Sequence, residues 1–96
     1  MKYFHRTTVP AEQILAGATR FFGAGLASVQ EQPRRREFAG SIGRIRVTVQ
    51  AEGGHYTLVT VETDQVGESE ADKLAKRFLT LVHTSAEPSH RPIGAY

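Results

Sequence analysis

Arginine carries most of the chemistry that this 96-residue chain can offer. Arg34, Arg35, Arg36, Arg44 and Arg46 fall within residues 34–46 against Glu37 alone, a local charge of +4. Guanidinium groups at that density can take up phosphates or carboxylates through paired N–H donors. Residues 62–72 carry Glu62, Asp64, Glu68, Glu70 and Asp72 with no base, a local charge of −5. Two opposite blocks of similar size can pair within one chain or between two copies. The remaining reactive types are poorly arranged. His5, His55, His83 and His90 show no metal-ligand spacing. Ser41, Ser69 and Ser85 lack the context of a nucleophile elbow, and Gly23–Ser28 follows a helix pattern instead of opening one, so it is no phosphate loop. The sequence therefore predicts no catalytic residue, no metal site and no cofactor.

Composition places these residues on one small domain. A chain that is 40% hydrophobic and 23% charged has the balance of a soluble globular protein. It has no cysteine, which excludes a disulfide scaffold, thiolate chemistry and a cysteine-ligated zinc. No apolar run approaches the roughly 18–20 residues of a membrane span, and Met1–Pro10 mixes Lys2, His5 and Arg6 with isolated apolar residues. A cytoplasmic protein without a membrane partner is expected. The net charge of +2 is too small to argue for nucleic acid by itself.

Tyr3–Val9, aromatic and β-branched up to Pro10, reads as a strand. Pro10 suits a helix start, and Ile14, Leu15, Ala18, Phe21 and Phe22 recur at helical spacing until Gly23 and Gly25. Weaker strands are expected at Leu26–Gln32 and Arg36–Ala39, with turn residues at Gly40–Gly43. Arg44–Glu52 and His55–Thr63 flank Gly53-Gly54, the pattern of a tight hairpin. Ser69 with Asp72 three residues on resembles a capping box opening a helix over Ser69–Thr84, striped by Ala71, Leu74, Ala75, Phe78 and Val82. Residues 1–85 form one domain in this reading, and 86–96, with Pro88 and Pro92, form an extended or flexible tail.

A two-residue turn at Gly53-Gly54 sets the register of the hairpin: Glu52 against His55, Val49 against Leu58, Val47 against Thr60 and Ile45 against Glu62. The core face is then Ile45, Val47, Val49, Ala51, Tyr56, Leu58 and Thr60. Arg44, Arg46, Thr48, Val59 and Val61 share the opposite face. Strands two to five as a meander, with strand one beside strand five, give a two-layer α+β domain: one antiparallel five-stranded sheet, β-α-β-β-β-β-α, with both helices on one face.

Over residues 2–84 this order resembles one repeat of the TATA-box-binding-protein fold and a shortened helix-grip domain of the START/Bet v 1-like polyketide-cyclase superfamily. The resemblance is one of topology and rests on no shared motif. The first implies DNA read on the open sheet face by wedge phenylalanines, where this chain is expected to offer Val59 and Val61 and no phenylalanine. The second implies an apolar ligand held between sheet and helices. The reading that results is a non-catalytic module that self-associates, as a homodimer, through its open sheet face and binds a small apolar ligand. Tyr56, Leu58, Thr60, Glu62, Leu74 and Phe78 are the candidate ligand-lining residues. Arg34, Arg35, Arg36, Arg44, Arg46, Val59 and Val61 are the candidate interface or anion-binding residues. The alternatives are a nucleic-acid-binding module using the Arg34–Arg46 cluster and a small helix-grip cyclase- or hydrolase-like enzyme.

Overall fold

A computed structural model describes residues 1–86. Strand β1 (Lys2–Thr7) leads into helix α1 (Ala11–Gly23), followed by β2 (Ala27–Gln32), β3 (Arg35–Gly40), β4 (Gly43–Glu52), β5 (Tyr56–Thr63) and helix α2 (Glu70–Ala86). The strands make one antiparallel sheet in the order β1-β5-β4-β3-β2, and both helices cover one face of it. Architecture and strand order are those read from the sequence. Of the tail expected over 86–96, Ala86 instead closes α2, and the remainder, including His90, lies outside the described residues.

Proline 10 sits at the N-cap of α1, where its carbonyl accepts from the N–H groups of Gln13 and Ile14 and its missing donor leaves no gap. α1 buries Ile14, Leu15, Ala18 and Phe22 over β3 and β4, while α2 buries Ala71, Ala75, Phe78 and Val82 over β1 and β5. Phe22 joins the layers, its ring centroid 5.4 Å from that of Phe38 on the sheet and 5.2 Å from that of Phe78 on α2. Half of the expected capping box forms: the Asp72 N–H donates to Ser69 Oγ at 3.1 Å. The Asp72 carboxylate turns inward instead of back toward the Ser69 N–H. It is fully buried and accepts from Thr63 Oγ1 at 2.9 Å, tying the end of β5 to the start of α2.

The hairpin register differs from the sequence expectation by one residue. Gly53, Gly54 and His55 form a three-residue connection with Gly54 at φ 74° and His55 at φ 68°, so Glu52 pairs with Tyr56, Val49 with Val59, Val47 with Val61 and Ile45 with Thr63. One added loop residue turns every β5 side chain to the other face. Val59 and Val61 are fully buried in the core and are not on the open face, while Tyr56, Leu58, Thr60 and Glu62 are on the open face and not beneath the helices. The energetics favour this choice. Holding the non-glycine His55 at positive φ costs about 1–2 kcal/mol. The shift exchanges Leu58 and Thr60 for Val59 and Val61 on the core face, a near-even trade of apolar area, and its larger gain is that the Glu62 carboxylate stays out of the core.

Candidate functional site

The uncovered face of the sheet brings together most of the chemically interesting side chains. Alternation along the strands and the observed pairing arrange them in rows that cross the sheet. One row runs Lys2 on β1, Glu62 on β5, Arg46 on β4, Glu37 on β3 and Gln30 on β2. Its charges alternate in sign from strand to strand. The next row runs Phe4, Thr60, Thr48, Arg35 and Gln32, and the third sets Arg6, Leu58 and Gln50 side by side. Phe4 is 62% exposed, an apolar group standing in solvent on a sheet that has nothing above it among the described residues. Leu58 is half-buried beside it and Tyr56 is exposed further along β5.

Ion pairs knit the face together. Arg6 Nε lies 2.7 Å from Glu52 Oε1. Glu37 Oε1 is shared between Arg44 Nη1 and Arg46 Nη2, each at 3.6 Å. The Nε–H groups of Arg35 and Arg46 are covered and find no acceptor among the described residues. Arg44, Arg46, Glu37, Glu62, Thr63 and Asp64 surround a dimple of about 140 Å³ at one edge of the face, too small for an organic ligand. Asp64 is held below the usual carboxylate range, first by the Arg44 backbone N–H donating to its Oδ1 at 2.9 Å and then by the Gln65 side chain.

The sequence-derived residues therefore regroup. The ligand-lining set does not line one cavity: Tyr56, Leu58, Thr60 and Glu62 sit on the open face, whereas Leu74 and Phe78 belong to the helix layer. Of the interface set, Arg35, Arg44 and Arg46 share the open face. Arg34 lies in the β2–β3 turn. Arg36 pairs with the core residue Val47 and so projects from the helix side, its guanidinium donating to the Gln32 and Arg35 carbonyls. Arg35 and Arg36, consecutive on β3, face opposite sides of the sheet and Arg34 precedes the strand, so no single cluster from 34 to 46 exists. Phe4 was missed by the sequence reading and supplies the phenylalanine that the open face was expected to lack. Its signal was parity alone, and parity on β1 can be read only through the register of β5.

Two other features lie on the helix side. His5 and His83 bring their rings edge to face with centroids 5.7 Å apart where α2 crosses β1. Burial, and secondarily the positive charge that His83 can carry, lower the pKa of His5 below its ordinary 6.5. Between α1 and α2 opens a cleft of about 400 Å³ bordered by Val9, Ile14, Phe21, Phe78 and Val82 among others. No group of histidine and carboxylate side chains among the described residues is arranged to hold a metal ion, and no described helix is long and apolar enough to cross a membrane. Compared with known protein families and with curated proteins, the chain matches none.

Proposed function

We propose that this chain is a small binding module that associates with a second copy of itself through the open face of its sheet. The observation that carries the reading is the row Lys2, Glu62, Arg46, Glu37. Two sheets stacked face to face about a twofold axis that runs along the strands between β4 and β5 invert the order of that row. Glu62 of one copy then meets Arg46 of the other, and Lys2 meets Glu37, so every charge faces its opposite. The same operation sets Phe4 over Arg35 of the second copy, a cation–π arrangement that uses a guanidinium in place of solvent. Thr60 and Thr48 meet near the axis.

The available area suits such a contact. With the axis between β4 and β5, four strands of each copy overlap; at about 4.8 Å apart, with some six residues of about 3.3 Å each, they give roughly 19 by 20 Å, or ~380 Å² in projection before side-chain relief. A standard interface buries ~800 Å² of accessible surface per partner. A phosphate-binding strip would present a single sign of charge; here acids alternate with bases, which favours a self-complementary protein contact over nucleic acid.

Sedimentation equilibrium of the protein and of Phe4→Ala tests the reading. Phe4 makes little contact within its own fold, so the substitution should leave the melting temperature nearly unchanged. A buried aromatic anchor is worth ~1.5–3 kcal/mol, so dimerisation should weaken by ~10–100-fold. A monomeric parent protein at all accessible concentrations, or a dimer indifferent to Phe4→Ala, would overturn it.

A further inference from the structure

The cleft between α1 and α2 faces away from the open side of the sheet, and its residues have no part in the contact proposed above. Its walls are apolar, built from Ile14, Phe21, Phe78 and Val82, and its volume of about 400 Å³ falls in the ~300–1,000 Å³ range of small-molecule sites. Among the described residues, Arg20 is the one charged side chain on its border, and no carboxylate lines it. The Arg20 guanidinium makes no hydrogen bond or ion pair with any described residue.

Gly17 gives the cleft its depth. Gln13, Gly17 and Arg20 stand at i, i+4 and i+7 of α1, one column on a single helix face, so the glycine opens a notch between an amide and a guanidinium. A Cβ at position 17 would meet nothing nearer than Arg20 Nη2 at 3.9 Å and Phe78 Cε1 at 4.0 Å. Close packing therefore does not call for glycine here, and a glycine inside a helix costs about 1 kcal/mol relative to alanine. Across the notch, Thr84 and Ser85 donate their hydroxyl protons to carbonyls of their own helix, at 3.2 Å to Thr80 and 2.9 Å to Leu81. The side-chain donors that the described residues leave to a ligand are Gln13 and Arg20, at opposite ends of an apolar floor.

We propose that this cleft binds a small amphipathic carboxylic acid, its carboxylate on the Arg20 guanidinium and its hydrocarbon body along Gly17, Phe21 and Phe78. The apolar walls alone would take any greasy molecule. The Arg20 cation, with no competing carboxylate among the described lining residues, selects an acid.

The test is an NMR titration of the ¹⁵N-labelled full chain with sodium octanoate and, as an uncharged body of the same shape, octanamide. Saturable shifts confined to α1 and α2 are expected, with octanoate bound more tightly. Arg20→Gln should weaken octanoate by ~10-fold, the scale of one charge-assisted pair, and leave octanamide unchanged. Gly17→Leu should abolish both while the protein melts no lower, since leucine favours a helix over glycine and a Cβ at this position meets nothing nearer than 3.9 Å. Absence of saturation up to millimolar octanoate would overturn the proposal. Equal weakening of acid and amide by Arg20→Gln would overturn it as well.

Discussion

Truncating Val61 to alanine tests the hairpin register, on which the composition of both sheet faces depends. Val61 is 0% exposed and pairs with Val47 beneath the helices. Removing two buried carbons forfeits ~0.8 kcal/mol each, and the cavity left in a close-packed layer raises the total to ~2–3 kcal/mol. For a domain of this size that lowers the melting temperature by about 10–20 °C. Thr60 and Leu58, on the same strand, face the other way; Thr60→Ala should cost no more than ~0.5 kcal/mol and Leu58→Ala about 1 kcal/mol. Thermal melts followed by circular dichroism at low micromolar concentration, where association contributes least, read all three. A two-residue turn would bury Leu58 and Thr60 and expose Val61, so a tolerant Val61→Ala beside a costly Leu58→Ala would refute the register and the face assignments built on it.

Two further outcomes follow from local geometry. Gly43 adopts φ 119°, and a Cβ there would lie 2.5 Å from Asp64 Oδ1 and 2.7 Å from Gln65 Nε2; Gly43→Ala should cost ~2–3 kcal/mol in urea denaturation through strain and the lost Asp64–Arg44 bond, whereas Gly53→Ala, with open space around it, should stay within ~1 kcal/mol. Because the folded state lowers the pKa of His5, the unfolded chain binds the extra proton first as pH falls below about 6.5. That stability is present above the ordinary histidine value and is lost as pH falls toward the folded one, so His5→Gln should flatten the slope of stability between pH 7 and 5, and an unchanged slope would remove His5 as its source.

The sequence was legible wherever a local pattern has one solution. Helical spacing in Ile14–Phe22 and Ala71–Val82, proline at the start of α1 and glycines at its end fix both helices within a residue or two. Five strands joined by short connections then admit few topologies, and the sheet order followed. Register was not legible, because Gly53-Gly54 supports a two-residue turn and a three-residue one equally well, with His55 the undecided member. The choice is made at a distance, by Val59 and Val61 competing with Leu58 and Thr60 for the helices and by Glu62 resisting burial opposite Ile45. That single residue moved four ligand-lining candidates to the surface and two interface candidates to the core. It also hid Phe4, whose side of the sheet is settled by its pairing with Thr60. The cleft between the helices escaped for a different reason: the space between two helices depends on their separation, which a stripe of apolar residues does not encode.

Arg46 and Glu62 are proposed to meet across a twofold axis, and mixing two charge-reversed variants tests that pairing most directly. Arg46→Glu sets two carboxylates against each other at each of the two symmetry-related contacts, and Glu62→Arg sets two guanidinium groups there, so each variant alone should sediment as a monomer. Combined in equal amounts, the carboxylate introduced in one variant faces the guanidinium introduced in the other, while the untouched Glu62 of the first faces the untouched Arg46 of the second. A heterodimer should then appear in native mass spectra with the summed mass of the two chains. Variants that remain dimeric on their own, or a mixture that stays monomeric, would contradict the proposed pairing of the open sheet faces.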